Sequence, residues 1–168
     1  MRERLSQLTS IVIDQGIRRP INFALDERFY AAALVLTYSG MDTMAFLDMP
    51  REKTYVMRSD FIAWVEQYVK VADVTARDLY AARCSVLHGG ALSRLSTGGE
   101  CTIIRHVPPQ SNADIASGSA FVSVSHLKDA FFRGVELFML HIFEREAKRA
   151  VVEDRLTGLL QTLPYIRS

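Results

Sequence analysis

The stretch Thr75 to Gly90, TARDLYAARCSVLHGG, constrains the fold more than any other, because it sets an arginine into the apolar side of a helix. Thr75 suits an N-cap, and Asp78 three residues later completes a capping box and complements the helix dipole. No breaker follows until Gly89-Gly90, which can take the left-handed backbone that ends a helix. At about 100° per residue, Ala76, Leu79, Tyr80, Val86 and Leu87 share one face, and Arg83 projects from its middle. An arginine keeps its charge, so burial there demands a carboxylate, backbone carbonyls, a phosphate or an adjoining wet cleft. His88, in the last turn, adds a side chain that titrates near neutrality at the helix end that favours cations.

The rest of the chain has a mainly helical pattern and offers one such carboxylate. Residues 3–15 carry Leu5, Leu8, Ile11 and Ile13 at helical spacing, with an end expected near Gly16 and Pro20. From Asn22 to about Met49 runs one long helical pattern, apolar nearly all round at FYAAALVL and stopped by Pro50. Tyr38 and Asp42 share a face of it, and Gly40 admits a close neighbour. Asp42 is the first candidate partner for Arg83. Ser59 is expected to cap a helix burying Phe61, Ile62, Val65, Tyr68 and Val69, joined by a short link to the Arg83 helix.

After Gly90 the chain turns small and polar, then β-branched. The segments CTIIRHV and AFVSVS read as strands that pair as a hairpin with a long tip, a β-hairpin-like insertion over about residues 91–124. Ser125 is expected to begin a helix striped by Leu127, Phe131, Val135, Phe138 and Ile142, and a last helix runs from about Arg149 to Leu163. The expectation is one helical-bundle domain over residues 1–168.

A formal charge of +1 gives no global attraction for polyanions, so any contact with nucleic acid must be local. Cys84 and Cys101 fit no zinc spacing and no disulfide framework, which points to a reducing cytoplasm and no metal. Asp14 and Gly16 interrupt the only N-terminal apolar run, and Phe29 to Leu36 is far short of the roughly 20 residues a membrane span needs. A soluble cytoplasmic protein without membrane attachment is expected.

Arg83-Cys-Ser-Val-Leu-His88, preceded by LYAA, resembles the R-x(4–6)-H motif of the HEPN superfamily, helical domains found in ribonucleases, toxins and antiphage defence proteins. Tyr38-Ser-x-x-Asp42 on the preceding long helix also looks like a family feature, an acidic residue facing the motif helix. The resemblance covers residues 22–90 and, less clearly, the helices after 125. It implies metal-independent RNA cleavage by the ribose 2′-hydroxyl, with no cofactor. In it Arg83 steadies the phosphate, His88 moves a proton, and Asp42, Tyr38 and Cys84 support them. It further implies a homodimer with a composite cleft, RNA or a nucleotide as ligand, and an antitoxin or defence partner protein. Arg83 and His88 project about 140° apart on a straight helix, which makes a site from one copy awkward. Cys84 departs from the polar residue frequent at that position in nuclease members, because a thiol is a weak hydrogen-bond donor.

Other readings of the same residues stand beside this one. Arg83 can pair with Asp42 or Glu66 in the core while His88 caps its own helix, as in a purely structural protein-interaction domain, or the site can bind a nucleotide or RNA without cleaving it. Cys84 reads better as a small buried side chain than as a nucleophile. His106 and His126 fall at or beside strand ends, His141 reads as a satisfied core or interface histidine, and Phe131, Phe132, Phe138 and Phe143 fill the core or a dimer seam.

Overall fold

The structure, a computed structural model, describes residues 2–88, 101–109 and 119–162. It is mainly helical. In chain order come α1 (Arg2–Thr9), a π-helical segment (Ser10–Arg18), α2 (Arg19–Asp26), α3 (Tyr30–Asp48), α4 (Arg58–Tyr68) and α5 (Ala76–His88). Strands β1 (Ile103–Val107) and β2 (Ser119–Ser123) follow, then α6 (Val124–Glu144) and α7 (Glu146–Thr162). Among the described residues no helix is long and apolar enough to cross a membrane. Gly89-Gly90, the tract from Ala91 to Glu100, most of the loop after Val107 and Leu163-Pro164 lie outside the described residues.

The N-terminal helix does not stop at Gly16 or Pro20 as expected. The backbone widens instead, and the Arg19 amide reaches back five residues to the Asp14 carbonyl. Pro20 then falls in the first turn of α2, where a missing N–H costs little. The expected single helix from Asn22 to Met49 is also divided. Glu27 to Phe29 turn the chain, with Arg28 in the left-handed region at φ 61° and the Phe29 amide bonded to the Ala24 carbonyl at 2.6 Å.

Helix α3 lies at the centre, touching the π segment and α2, α4, α5, α6 and α7. Its apolar circumference explains this position: Ala33, Tyr38, Met41, Met44, Ala45 and Leu47 are all buried. Gly40 is needed here, since a Cβ would sit 2.8 Å from the Phe131 ring and 2.9 Å from Ile17. Around α3 gathers an aromatic cluster in which Trp64, Phe131 and Phe138 meet edge-on. His141 is satisfied as expected, 3.2 Å from the Tyr68 hydroxyl. Of the four phenylalanines, Phe131 and Phe138 are core, while Phe132 carries Arg18 and Lys128 on its ring and Phe143 is partly exposed. Pro50 ends α3, and Arg155 of α7 donates to the Phe46 carbonyl in its last turn and to the Pro50 and Lys53 carbonyls just beyond it.

Three helix starts differ from the expectation by one to three residues. Asp60 accepts from the Met57 amide at the head of α4, displacing Ser59 as cap, and Ser123 rather than Ser125 caps α6 by accepting from the His126 amide. Helix α7 begins at Glu146. The hairpin expectation is corrected outright: β1 and β2 run parallel, in register from Ile103 opposite Ser119 to Val107 opposite Ser123. Parallel neighbours need a crossover connection rather than a tight turn, so a hairpin cannot join these two strands.

Candidate functional site

The site forms where α3 and α5 face each other. At the head of α5 the capping box is present. The Asp78 amide donates to Thr75 Oγ1 at 3.2 Å, and the Thr75 amide and hydroxyl donate to Asp78 Oδ2 at 2.9 and 2.6 Å. Asp78 is buried, and its other oxygen accepts the Thr102 amide at 2.7 Å, which ties the chain entering β1 to the start of α5.

Two turns on, Arg83 meets the carboxylate that its place on an apolar face required. Its Nε and Nη2 both donate to Asp42 Oδ2, at 3.0 and 2.7 Å, while Glu66 stays exposed and takes no part. Burial pushes the Asp42 carboxyl above its ordinary range against the pull of Arg83 and His88. Burial also pushes Arg83 down, and Asp42 with Cys84 more than reverses this. Two charge-assisted N–H groups on one oxygen make this an ion pair. Its side chains keep 21% and 23% of their exposure, so the pair is open to solvent on one side.

His88 completes the arrangement. Arg83 Nη1 lies 3.2 Å from His88 Nε2, within the same chain. A guanidinium can only donate, so Nε2 is the acceptor in this contact. The wide angle between the two positions had made a one-copy site awkward. The long arginine stem overcomes it, because Asp42 draws the guanidinium along α3 and leaves Nη1 turned toward the last turn of α5. Cys84 is a buried free thiol, 4.0 Å from Arg83 Nη1 and beside the Tyr80 hydroxyl, which burial first and Cys84 next hold above its usual range.

Tyr38 does not join this group. Fully buried one turn before Asp42, it meets His106 of β1 instead, with its hydroxyl 3.0 Å from Nε2 and the rings edge-on. Burial lowers His106 to about 4, opposed only by the Val122 backbone, and raises Tyr38 above the ordinary phenol range. The imidazole is therefore neutral at physiological pH. His106 is the residue whose place the sequence did not disclose. Its alternation with Ile104, both half-buried between exposed Ile103 and Arg105, was the available signal. His126 is exposed, and its amide caps α6 on Ser123.

Among the described residues no group of three or more His, Cys, Asp or Glu lies together as metal ligands would. A hollow of about 550 Å³ opens between the π segment and α6, lined by Ser10, Ile13, Arg18, Val135, Met139 and Phe143, and no site residue borders it. In comparison with known proteins, the chain matches no family model, no curated protein and no solved structure.

Proposed function

We propose that the chain is a HEPN-type endoribonuclease that needs no metal, with Arg83 as phosphate clamp and His88 as the proton-moving group. The supporting observation is the continuous array Asp42, Arg83, His88, fixed from beneath by α3 and open to solvent above. In the reaction the 2′-oxygen of a ribose bonds to the adjacent phosphorus and loses its proton, while the bond to the 5′-oxygen breaks and that oxygen gains one. The products are a 2′,3′-cyclic phosphate and a 5′-hydroxyl, and no water is consumed. Arg83 offsets the charge that builds on the phosphoryl oxygens, with Asp42 holding its plane. A second copy of the chain across a two-fold axis would bring a second His88 to the same cleft, so that one imidazole serves each oxygen.

The test is cleavage of mixed cellular RNA in EDTA by the parent protein beside Arg83→Ala/His88→Ala, with folding and dimerisation checked for both. Cleavage by the parent alone, leaving cyclic phosphate ends, is the expected result. Growth arrest on expression, relieved by His88→Ala, would place the activity with toxins and their antitoxin or defence partners.

A second reading, a phosphate-binding module without catalysis, is favoured by one observation: Asp42 and His88 already occupy three N–H groups of Arg83, with only a thiol beside it at Cys84. It requires RNA affinity that falls on Arg83→Ala and with added salt, and no cleavage by the parent.

A further inference from the structure

We infer that the outward face of α6 is a docking surface for a second copy of this chain, with the two α6 helices packed antiparallel about a two-fold axis. The surface shares no residue with the Asp42, Arg83 and His88 array, so the inference goes beyond the proposed reaction and stands or falls apart from it.

Helix α6 turns two kinds of outer face to solvent. Its first half exposes His126, Asp129 and Arg133, an ordinary solvated side. Its second half buries Val135, Phe138 and Ile142, yet also exposes Leu137 at 48%, Leu140 at 60% and Phe143 at 37%. A stretch of helix that is apolar on both sides calls for cover on both, and the fold covers one. Leu140 and Phe143 further border the hollow against the π segment, so the uncovered surface widens on that flank.

Spacing and charge select the occupant. Arg133, Leu137, Leu140 and Glu144 are all exposed and follow one another at steps of four, three and four. At about 100° per residue such steps keep side chains within a stripe about 60° wide, the seam of a paired helix. Two leucines lie at its centre, and charges of opposite sign lie at equal distances beyond them. Turned end for end against itself, the stripe sets Leu137 against the partner's Leu140 and Arg133 against the partner's Glu144. A two-fold axis repeats each contact, so one register yields two leucine contacts and two ion pairs. A parallel pairing would instead oppose like charges at both ends. Neither charge is taken within the chain: among the described residues Arg18 pairs with Glu136 and Lys128 with Asp129, while Arg133 and Glu144 make no ion pair.

Sedimentation velocity of the full chain over a concentration series, at low and high salt, tests the contact. We expect a reversible dimer at protein concentrations up to about 100 μM. Leu140→Glu, at the centre of the seam, is expected to raise the dissociation constant at least about thirtyfold. Arg133→Glu and Glu144→Arg each turn both ion pairs into like-charge contacts and are expected to weaken self-association about tenfold at low salt. Mixed in equal amounts, these two variants regain opposite charges at both contacts and are expected to pair with each other at the strength of the parent. The substituted positions are exposed, so urea unfolding should match the parent, and rescue on mixing has no counterpart in a misfolded variant. A parent that stays monomeric at about 100 μM would overturn the inference. A dimer indifferent to Leu140→Glu and to both charge reversals would overturn it too and move the contact to another face, the α5 cleft included. Charge reversals that weaken the dimer yet fail to pair when mixed would overturn the antiparallel register on which it rests.

Discussion

Helix α3 offers two polar side chains one turn apart, and each is met by a basic side chain from another element. Tyr38 meets His106 of β1, and Asp42 meets Arg83 of α5. The distances are alike and the surroundings are not. Tyr38 is fully buried and both members of its pair are held neutral, whereas Asp42 and Arg83 keep about a fifth of their exposure and both are charged. A neutral bond inside the core fastens β1 to α3 and has nothing to offer a ligand. A charged pair at the surface, with the His88 imidazole leaning on it, keeps polar groups within reach of a ligand.

The largest effect that would separate the two pairs is on activity. Arg83→Ala or His88→Ala is expected to reduce RNA cleavage roughly 10²- to 10³-fold, the scale of losing one group that stabilises developing charge. His106→Leu is expected to leave the cleavage rate per folded protein within about threefold, a difference of well under 1 kcal/mol. Initial rates with one RNA substrate, scaled to folded protein, make the check. Equal losses at His88 and His106 would erase the distinction.

Stability should run the other way. Tyr38→Phe leaves the buried His106 Nε2 without its partner and is expected to cost about 1–3 kcal/mol in urea unfolding. Adding His106→Leu removes both polar groups and should recover part of that loss, so the double-mutant cycle is non-additive. An additive cycle would mean that the bond does not fasten the strand.

The same pair sets a pH dependence. In the unfolded chain His106 takes a proton near pH 6.5, and in the folded protein only at about 4. Between those values the unfolded state binds more protons, so the contribution is complete above about pH 6.5 and is lost as the pH falls through about 4. The loss amounts to roughly 3 kcal/mol, since each tenfold weakening of proton affinity on folding is worth about 1.4 kcal/mol. Unfolding of parent and His106→Leu compared from pH 7 to pH 4 isolates it, and parallel profiles would assign acid lability to the carboxylates instead.

The open pair could be read from the sequence, and the closed one could not, for a physical reason. A charged residue on an apolar face demands a partner of opposite sign, and Asp42 stood on the one helix apolar enough to be central. Tyr38 and His106 make no such demand, since either can sit neutral in a core with many partners. The fold divides the same way. Helix faces and caps such as Thr75 with Asp78 follow from local spacing, while the turn at Glu27 to Phe29 uses Arg28 at positive φ with no glycine to mark it. β1 and β2 pair in parallel, and neither strand carries that direction in its own residues. His88 reached Arg83 through side-chain length, which an angular projection of helix positions ignores.

The smallest expected effect concerns the stability of the open pair itself. Breaking a fully buried ion pair strands a charge and costs several kcal/mol, but Asp42 and Arg83 each retain a path to water. Arg83→Ala should therefore cost about 1 kcal/mol or less in urea unfolding, as solvent and salt take over the screening of Asp42. Asp42→Asn should cost a similar amount, and raising the salt concentration should shrink both differences. A loss as large as that of Tyr38→Phe, unmoved by salt, would make Arg83 a second core fastening. The array at the end of α5 would then be a device for holding α5 to α3, and the phosphate would have to be sought elsewhere.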